Sequence, residues 1–234
     1  MFDLKWLTAI GPQSTVGGGF NNVAGTDPIP DDVDLGGGWS TISGGSRNVA
    51  ADEYASVGGG EYNCALAQYA TIAGGGSSNN QDQSSSNRVT DNYGTVGGGG
   101  NNQAGNGTLN PDAPDWCLGR NSGISTDSIY ATVGSGIGNT ASGFGNTVGS
   151  GIGNTASGND ATVSGGFNHT ASGIFSTIAG GTGNTTNGTF TTIGGGIANT
   201  ASGILSTIAG GAINTARGDR ATVSGGTNHT ASTN

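Results

Sequence analysis

The sequence predicts an all-β fold, a parallel β-solenoid or β-roll of about twelve coils. Two columns of residues carry that reading. Val133, Val148, Val163, Ile178, Ile193, Ile208 and Val223 follow one another at intervals of fifteen residues. The same register runs back through Val96, Ile72, Val57, Ile42 and Val16, with three of the gaps lengthened by extra residues. Counting each Val/Ile as position zero, position +3 is Gly in every copy, from Gly19 and Gly45 to Gly211 and Gly226. A repeat this short cannot hold a pair of helices, and two glycine-bearing segments per repeat would break any helix that tried to span it. It is long enough for one coil with two short strands and two turns.

Each part of the coil has its own reason. The triplet around position zero reads Ala-Thr-Val in Ala131 to Val133, which alternates small, polar and apolar residues and suits a strand with one buried face. A second triplet, Asn-Thr-Ala in Asn139 to Ala141, alternates in the same way and turns Asn and Ala inward and Thr outward. Position −1 is Thr in all copies but Ser56, and position +8 is Ala except at Asn80 and Thr186. Glycines at +2 and +3 supply one turn, and the common Gly at +10 supplies the other, either through positive φ or through close backbone approach. Stacked coils would pair as in-register parallel strands about 4.8 Å apart, giving a rod roughly 50 to 55 Å long. Its inward side chains are small and its core thin. Association that buries further apolar surface is therefore expected.

Three insertions interrupt the period, near 26–36, 77–92 and 106–128, within a roll taken to span 15–234. Residues 1–14 read as an apolar docking or capping segment, in which Phe2, Leu4, Trp6, Leu7 and Ile10 could cover one end of the roll or insert into a neighbour. That would allow end-to-end association into a filament. Specific recognition of a cell-surface glycan or protein is expected in the insertions, because a regular rod otherwise needs no loops.

Composition narrows the function. The 234 residues include 50 Gly, only 5 Pro and 9% charged residues, with a formal net charge of −9. Glycine without a three-residue period excludes collagen. Few cations, with Lys5, Arg47, Arg88, Arg120, Arg217 and Arg220 the complete set, argue against nucleic-acid binding. There is no apolar run long enough to insert into a membrane, and Met1 to Ile10 does not read as an export leader. No phosphate loop, metal-ligand cluster or nucleophile with a histidine partner is present, so neither catalysis nor a metal or cofactor is expected.

At position −3 stands a row of aromatics, Trp39, Tyr54, Tyr69, Tyr93 and Tyr130, continued by Phe175, Phe190 and Leu205. With Trp116 in the third insertion, these are the candidate ligand-binding residues; the row reads equally as a seam between subunits. The Asn column at +6 reads as a ladder that satisfies turn backbone groups, and His169 and His229 take its place in two coils. Asp27, Asp31, Asp32 and Asp34 match no calcium-loop spacing and read as a solvated loop. A Cys64 to Cys117 bridge requires the third insertion to fold back on the roll. Regular Thr columns also raise ice binding, although each strand brings one Thr per coil to a face and no paired-Thr surface is evident.

The units ATVGSGIGNTASG (131–143), ATVSGGFNHTASG (161–173) and STIAGGTGNTTNG (176–188) resemble the head repeats of YadA-like trimeric autotransporter adhesins, which are similar to repeats in some phage tail-fibre proteins. The resemblance covers about residues 14–234. It implies a left-handed parallel β-roll, a homotrimer about a threefold axis, and an extracellular place on a cell surface or virion in adhesion or fibre building. That family's neck, coiled-coil stalk and membrane-anchoring barrel have no counterpart in these residues.

Overall fold

The computed structural model describes residues 8–25, 38–76, 86–106, 117 and 128–232. The chain is an all-β parallel solenoid of about twelve coils, and no helix occurs among the described residues. Every strand is two residues long, and strands pair in parallel with their equivalents one coil on, as Thr147 does with Thr162 and Val148 with Val163. Two sheets result. The strands around position zero form a Thr-Val sheet, and those around +7 and +8 form a Thr-Ala sheet facing it. The chain divides into two compact units, Met1–Tyr130 and Ala131–Asn234.

The core between the sheets is one Val or Ile, the Ala at +8 and a small residue at −2, such as Ala55, Ala131 or Ser206, per coil. In the second unit Val133, Val148, Val163, Ile178, Ile193 and Ile208 are fully buried, as are Ala141, Ala156, Ala171, Ala201 and Ala216. In the first unit Ile42, Val57, Ile72 and Val96 face Ala24, Ala50, Ala65 and Ala104. Thr186 stands where Ala is usual, and its hydroxyl donates to Ser176 Oγ at 3.0 Å, so this buried polar group is satisfied inside the coil.

A ladder of buried asparagines closes the turn between the sheets. Asn199 Nδ2 donates to Gly195 O in its own coil and to Gly211 O in the next, both at 3.0 Å. Asn199 Oδ1 accepts the backbone N–H of Asn214 at 2.9 Å, and Asn199's own N–H goes to Asn184 Oδ1 at 2.9 Å. The same set repeats in the first unit at Asn48 and Asn63. Gly196, with φ of 91°, is part of this arrangement. A Cβ there would run into the Gly211 carbonyl and the Asn199 amide, so the glycine at +3 is required by space as well as by conformation.

The other turn works differently. Glycines at +10, such as Gly158 and Gly173, do not have positive φ; a Cβ on either would collide with the next coil's backbone. The left-handed residue of that turn is the one at −3, which carries a side chain in nearly every coil: Tyr69 at 58°, Phe190 at 57°, Leu205 at 60°. Its N–H points back to the preceding coil, as Tyr69 N does to Glu53 O at 3.0 Å, whereas strand N–H groups point forward.

Two boundaries differ from the sequence expectation. Asn87 belongs to the ladder, donating to Gly74 O at 3.1 Å and Gly99 O at 2.9 Å, and Arg88–Val89 is a strand paired with Cys64–Ala65. The second insertion is therefore 77–85 rather than 77–92. Because it enters before the Asn column, Val89 fills the place that straight counting assigns to Asn80. At the other end Thr8–Ala9 pairs with Val23–Ala24, and Ile10 N donates to Ala24 O at 2.8 Å. Residues 8–14 and Ile10 thus belong to the roll; Phe2, Leu4, Trp6 and Leu7 lie outside the described residues.

His169 interrupts the ladder. Its Nδ1 accepts Asn184 N at 3.0 Å, which puts the proton on Nε2, and that atom is buried, facing the Gly181 carbonyl in place of the two carbonyls that an Asn amide bridges. Burial holds this imidazole's pKa below the ordinary histidine value, because desolvation disfavours the cation. The unfolded chain then binds the proton more readily. The His169 contribution is complete above about pH 6.5 and is lost as the pH falls from there toward the lowered folded value. Substituting His169→Asn restores the second amide hydrogen bond that each Asn rung makes, and should raise stability by about 1 kcal/mol at neutral pH and flatten its decline below pH 6.5. Asn199→Ala takes the partner from the Gly195 carbonyl and the Asn214 amide and removes one of the two donors to the Gly211 carbonyl, whose other donor is Ile197 N, and should cost about 3 kcal/mol. Urea unfolding of the two variants at several pH values checks both.

Candidate functional site

The row at −3 is assembled by the coil itself. In the first unit each ring is carried by a left-handed corner residue, and coil-to-coil translation places it over its neighbour. Ring centroids are 5.3 Å apart for Trp39 and Tyr54, 4.8 Å for Tyr54 and Tyr69, 4.8 Å for Tyr69 and Tyr93, and 5.2 Å for Tyr93 and Tyr130. The first three pairs are parallel within 6°, and the last is tilted by 27°. Trp39 Nε1 donates to Gln13 Oε1 at 2.6 Å, fixing the end of the stack. Face-to-face stacking covers both faces of every inner ring and leaves the edges in water. A sugar platform, which needs an open ring face, is absent along the inner part of this row. Trp116 lies outside the described residues, as do Asp27, Asp31, Asp32 and Asp34.

The second unit carries two exposed apolar columns, one at each turn. Phe144, Ile174, Phe175, Phe190, Ile204 and Leu205 line the turn that bears the −3 column, with Phe175 and Phe190 stacked at 5.0 Å. Ile137, Ile152, Phe167, Ile197 and Ile213 line the turn that follows the glycines, each at least 45% exposed. Ile213 is β-branched and sits at φ 58°, where its equivalents are Gly138, Gly153, Asn168 and Gly183. A left-handed backbone costs a β-branched residue about 1 to 2 kcal/mol relative to glycine. A side chain that is both strained and exposed marks a position shaped by something other than the stability of the single chain.

The outer side of the Thr-Ala sheet differs between the units. In the second unit it is hydroxylic, with Thr at +7 and usually Ser at +9, as in Thr155 and Ser157 or Thr200 and Ser202. In the first unit the same columns bring Val49, Cys64, Ala51 and Leu66 together in a buried cluster with Cys117. Cys64 and Cys117 form a disulfide with Cα atoms 5.9 Å apart. Cys117 of the third insertion therefore lies against the roll, and the apolar Val49 and Cys64, where the second unit has Thr, mark the place. At the other turn of this unit, Arg47 lies over the rings of Phe20 and Tyr62 at 5.5 and 5.1 Å and pairs with Glu61 at 3.3 Å.

His229 follows the same column as His169, and its N–H donates to Asn214 Oδ1 at 2.9 Å. The two histidines are four coils apart, and neither belongs to a metal-ligand cluster among the described residues. No protein-family model and no curated protein matches this chain.

Removing the bridge with Cys64→Ala and Cys117→Ala should lower stability by about 4 kcal/mol, since it closes a loop of 53 residues, and should uncover Val49, Ala51 and Leu66. Denaturant midpoints and binding of a hydrophobic dye, each compared with the oxidised parent, measure the two effects.

Proposed function

We propose that this chain is a non-enzymatic structural and adhesive fibre protein of the YadA-like head type, assembled as a homotrimer and displayed outside a cell or on a virion. The observation that carries the reading is the pair of exposed apolar columns on the second unit. An isolated soluble chain rarely leaves so many large apolar side chains aligned in water, even with Thr182, Asn159 and Asp160 between them. Two different stripes per chain suit a heterologous interface, in which one column of a subunit meets the other column of the next, and such contacts close into a ring. The number three comes from the resemblance of the repeats. The Cys64–Cys117 disulfide fits an oxidising, extracellular setting. In this reading the insertions carry recognition of a glycan or protein receptor, and no residue is assigned a catalytic role.

Sedimentation equilibrium at micromolar concentration should give three chains per particle. Replacing Ile152 and Ile197 with Asn should yield monomers. Ile213→Asn should weaken association while raising the stability of the dissociated chain by about 1 kcal/mol, because it relieves the left-handed strain. A monomeric parent contradicts the proposal.

A second reading, ice binding, is favoured by the Thr column and the mostly Ser column beside it on the Thr-Ala sheet of the second unit, which place two hydroxyls on one face in every coil but those of Asn187 and Arg217. It predicts thermal hysteresis that disappears when Thr155, Thr170 and Thr200 are replaced by bulky Lys; a parent without hysteresis rules it out.

A further inference from the structure

The first unit contains four of the five tyrosines of the chain in one stack and the fifth, Tyr62, in a different environment. Tyr54, Tyr69, Tyr93 and Tyr130 are each 41 to 54% exposed, so their ring edges are open to solvent and to a small oxidant. Tyr62 is 3% exposed, with the Arg47 guanidinium over its ring. The backbone beneath the stack is held coil to coil, through Tyr54 N to Gly38 O at 3.2 Å, Tyr69 N to Glu53 O and Tyr93 N to Gln68 O at 3.0 Å. Each stacked phenol therefore has another phenol one coil away, in a geometry that the fold maintains without diffusion.

We propose that this stack is an oxidative cross-linking site, at which neighbouring tyrosines couple into dityrosine and staple adjacent coils together. The co-reactant is hydrogen peroxide, acting through a haem peroxidase as the one-electron oxidant. Each of two phenols loses one electron and one proton, giving a phenoxyl radical whose unpaired electron is shared with the ring carbons ortho to oxygen. Two such carbons join, and the hydrogen on each moves to its oxygen, restoring both phenols. The pair thus loses two hydrogen atoms in total, and one hydrogen peroxide is reduced to two waters. Parallel rings 4.8 Å apart must turn about their side-chain bonds to bring the ortho carbons together, which their exposed edges allow. A radical formed on Tyr69 has a partner on either side. Holding two reactants one coil apart raises their effective concentration far above that of separate chains. This chemistry is local to the first unit and does not depend on the trimeric assembly proposed above.

The test treats the full-length protein, dilute, with a haem peroxidase and hydrogen peroxide. It then reads dityrosine fluorescence and maps cross-linked peptides by mass spectrometry. The expected result is an intrachain product lighter by two hydrogens, joining Tyr54 to Tyr69, Tyr69 to Tyr93 or Tyr93 to Tyr130, with Tyr62 unmodified. In the double variant Y69F/Y130F the phenylalanine rings keep the stack but no two tyrosines remain on adjacent coils, and intrachain dityrosine should fall about tenfold. Circular dichroism confirms that the variant is folded. Absence of dityrosine in the parent, coupling only between chains, coupling through Tyr62, or an undiminished intrachain yield in the double variant would each overturn the proposal. Because monomers and trimers both retain the stack, failure here leaves the assembly question to the sedimentation result.

Discussion

The fold depends on one side-chain interaction repeated along the chain: an inward asparagine whose amide satisfies the turn of its own coil, the turn of the next, and the backbone of the next asparagine. A coil of fifteen residues has room for only one Val or Ile and two small side chains between its sheets, too little apolar burial to hold two tight turns shut. The turn glycines also leave carbonyls pointing into that interior, and a buried unpaired carbonyl costs about 1 to 3 kcal/mol. Asn meets both needs. Its donor bridges Gly195 and Gly211 around Asn199, and its acceptor takes the N–H of Asn214, so each rung satisfies polar groups on two coils at once. Glycine at +3 follows from this, since any side chain there would occupy the space of the amide.

With the interior occupied by small and polar groups, large apolar side chains have no place except outside. They collect at the turns, where in the second unit they run in columns along both sides. At the −3 corner the backbone is left-handed, which disfavours the very residues found there. The cost is accepted at Phe175, Phe190 and Leu205, and more severely at Ile213 on the other turn. Stacking of Phe175 on Phe190 offsets part of the cost within the chain, but among the described residues nothing in the chain covers Ile213. The proposed assembly would cover these side chains, and it is therefore placed on the turns rather than on the hydroxylic sheet faces.

Much of this was legible in the sequence, and the misses have physical causes. A fifteen-residue period in Val/Ile, Thr and Gly fixes coil length and strand placement because parallel in-register stacking admits no other spacing. The role of the Asn column could be read too, since a polar residue recurring on the inward face must meet backbone groups. The register through 77–85 was not legible, because an insertion placed just before Asn87 is invisible to counting from Ile72, and serine- and asparagine-rich residues imitate the repeat. Nor does sequence reveal that Tyr69 or Phe190 is left-handed, as glycine is the expected residue for such a turn. The disulfide was visible only as one possibility. The apolar Val49 and Cys64, in a column that is Thr throughout the second unit, were its signal, and they were readable only once that column was known to face outward.

The most direct test of the central claim is the exchange of asparagine side-chain amide protons with solvent, followed by NMR. The account predicts slow exchange, comparable to the strand backbone, at the Nδ2 groups of Asn154, Asn184, Asn199 and Asn214, which are buried and doubly hydrogen-bonded. It predicts fast exchange at Asn168 and Asn228, which sit exposed on the corner. Equal, fast exchange at both sets would show that the ladder does not hold the coils together and would contradict the account.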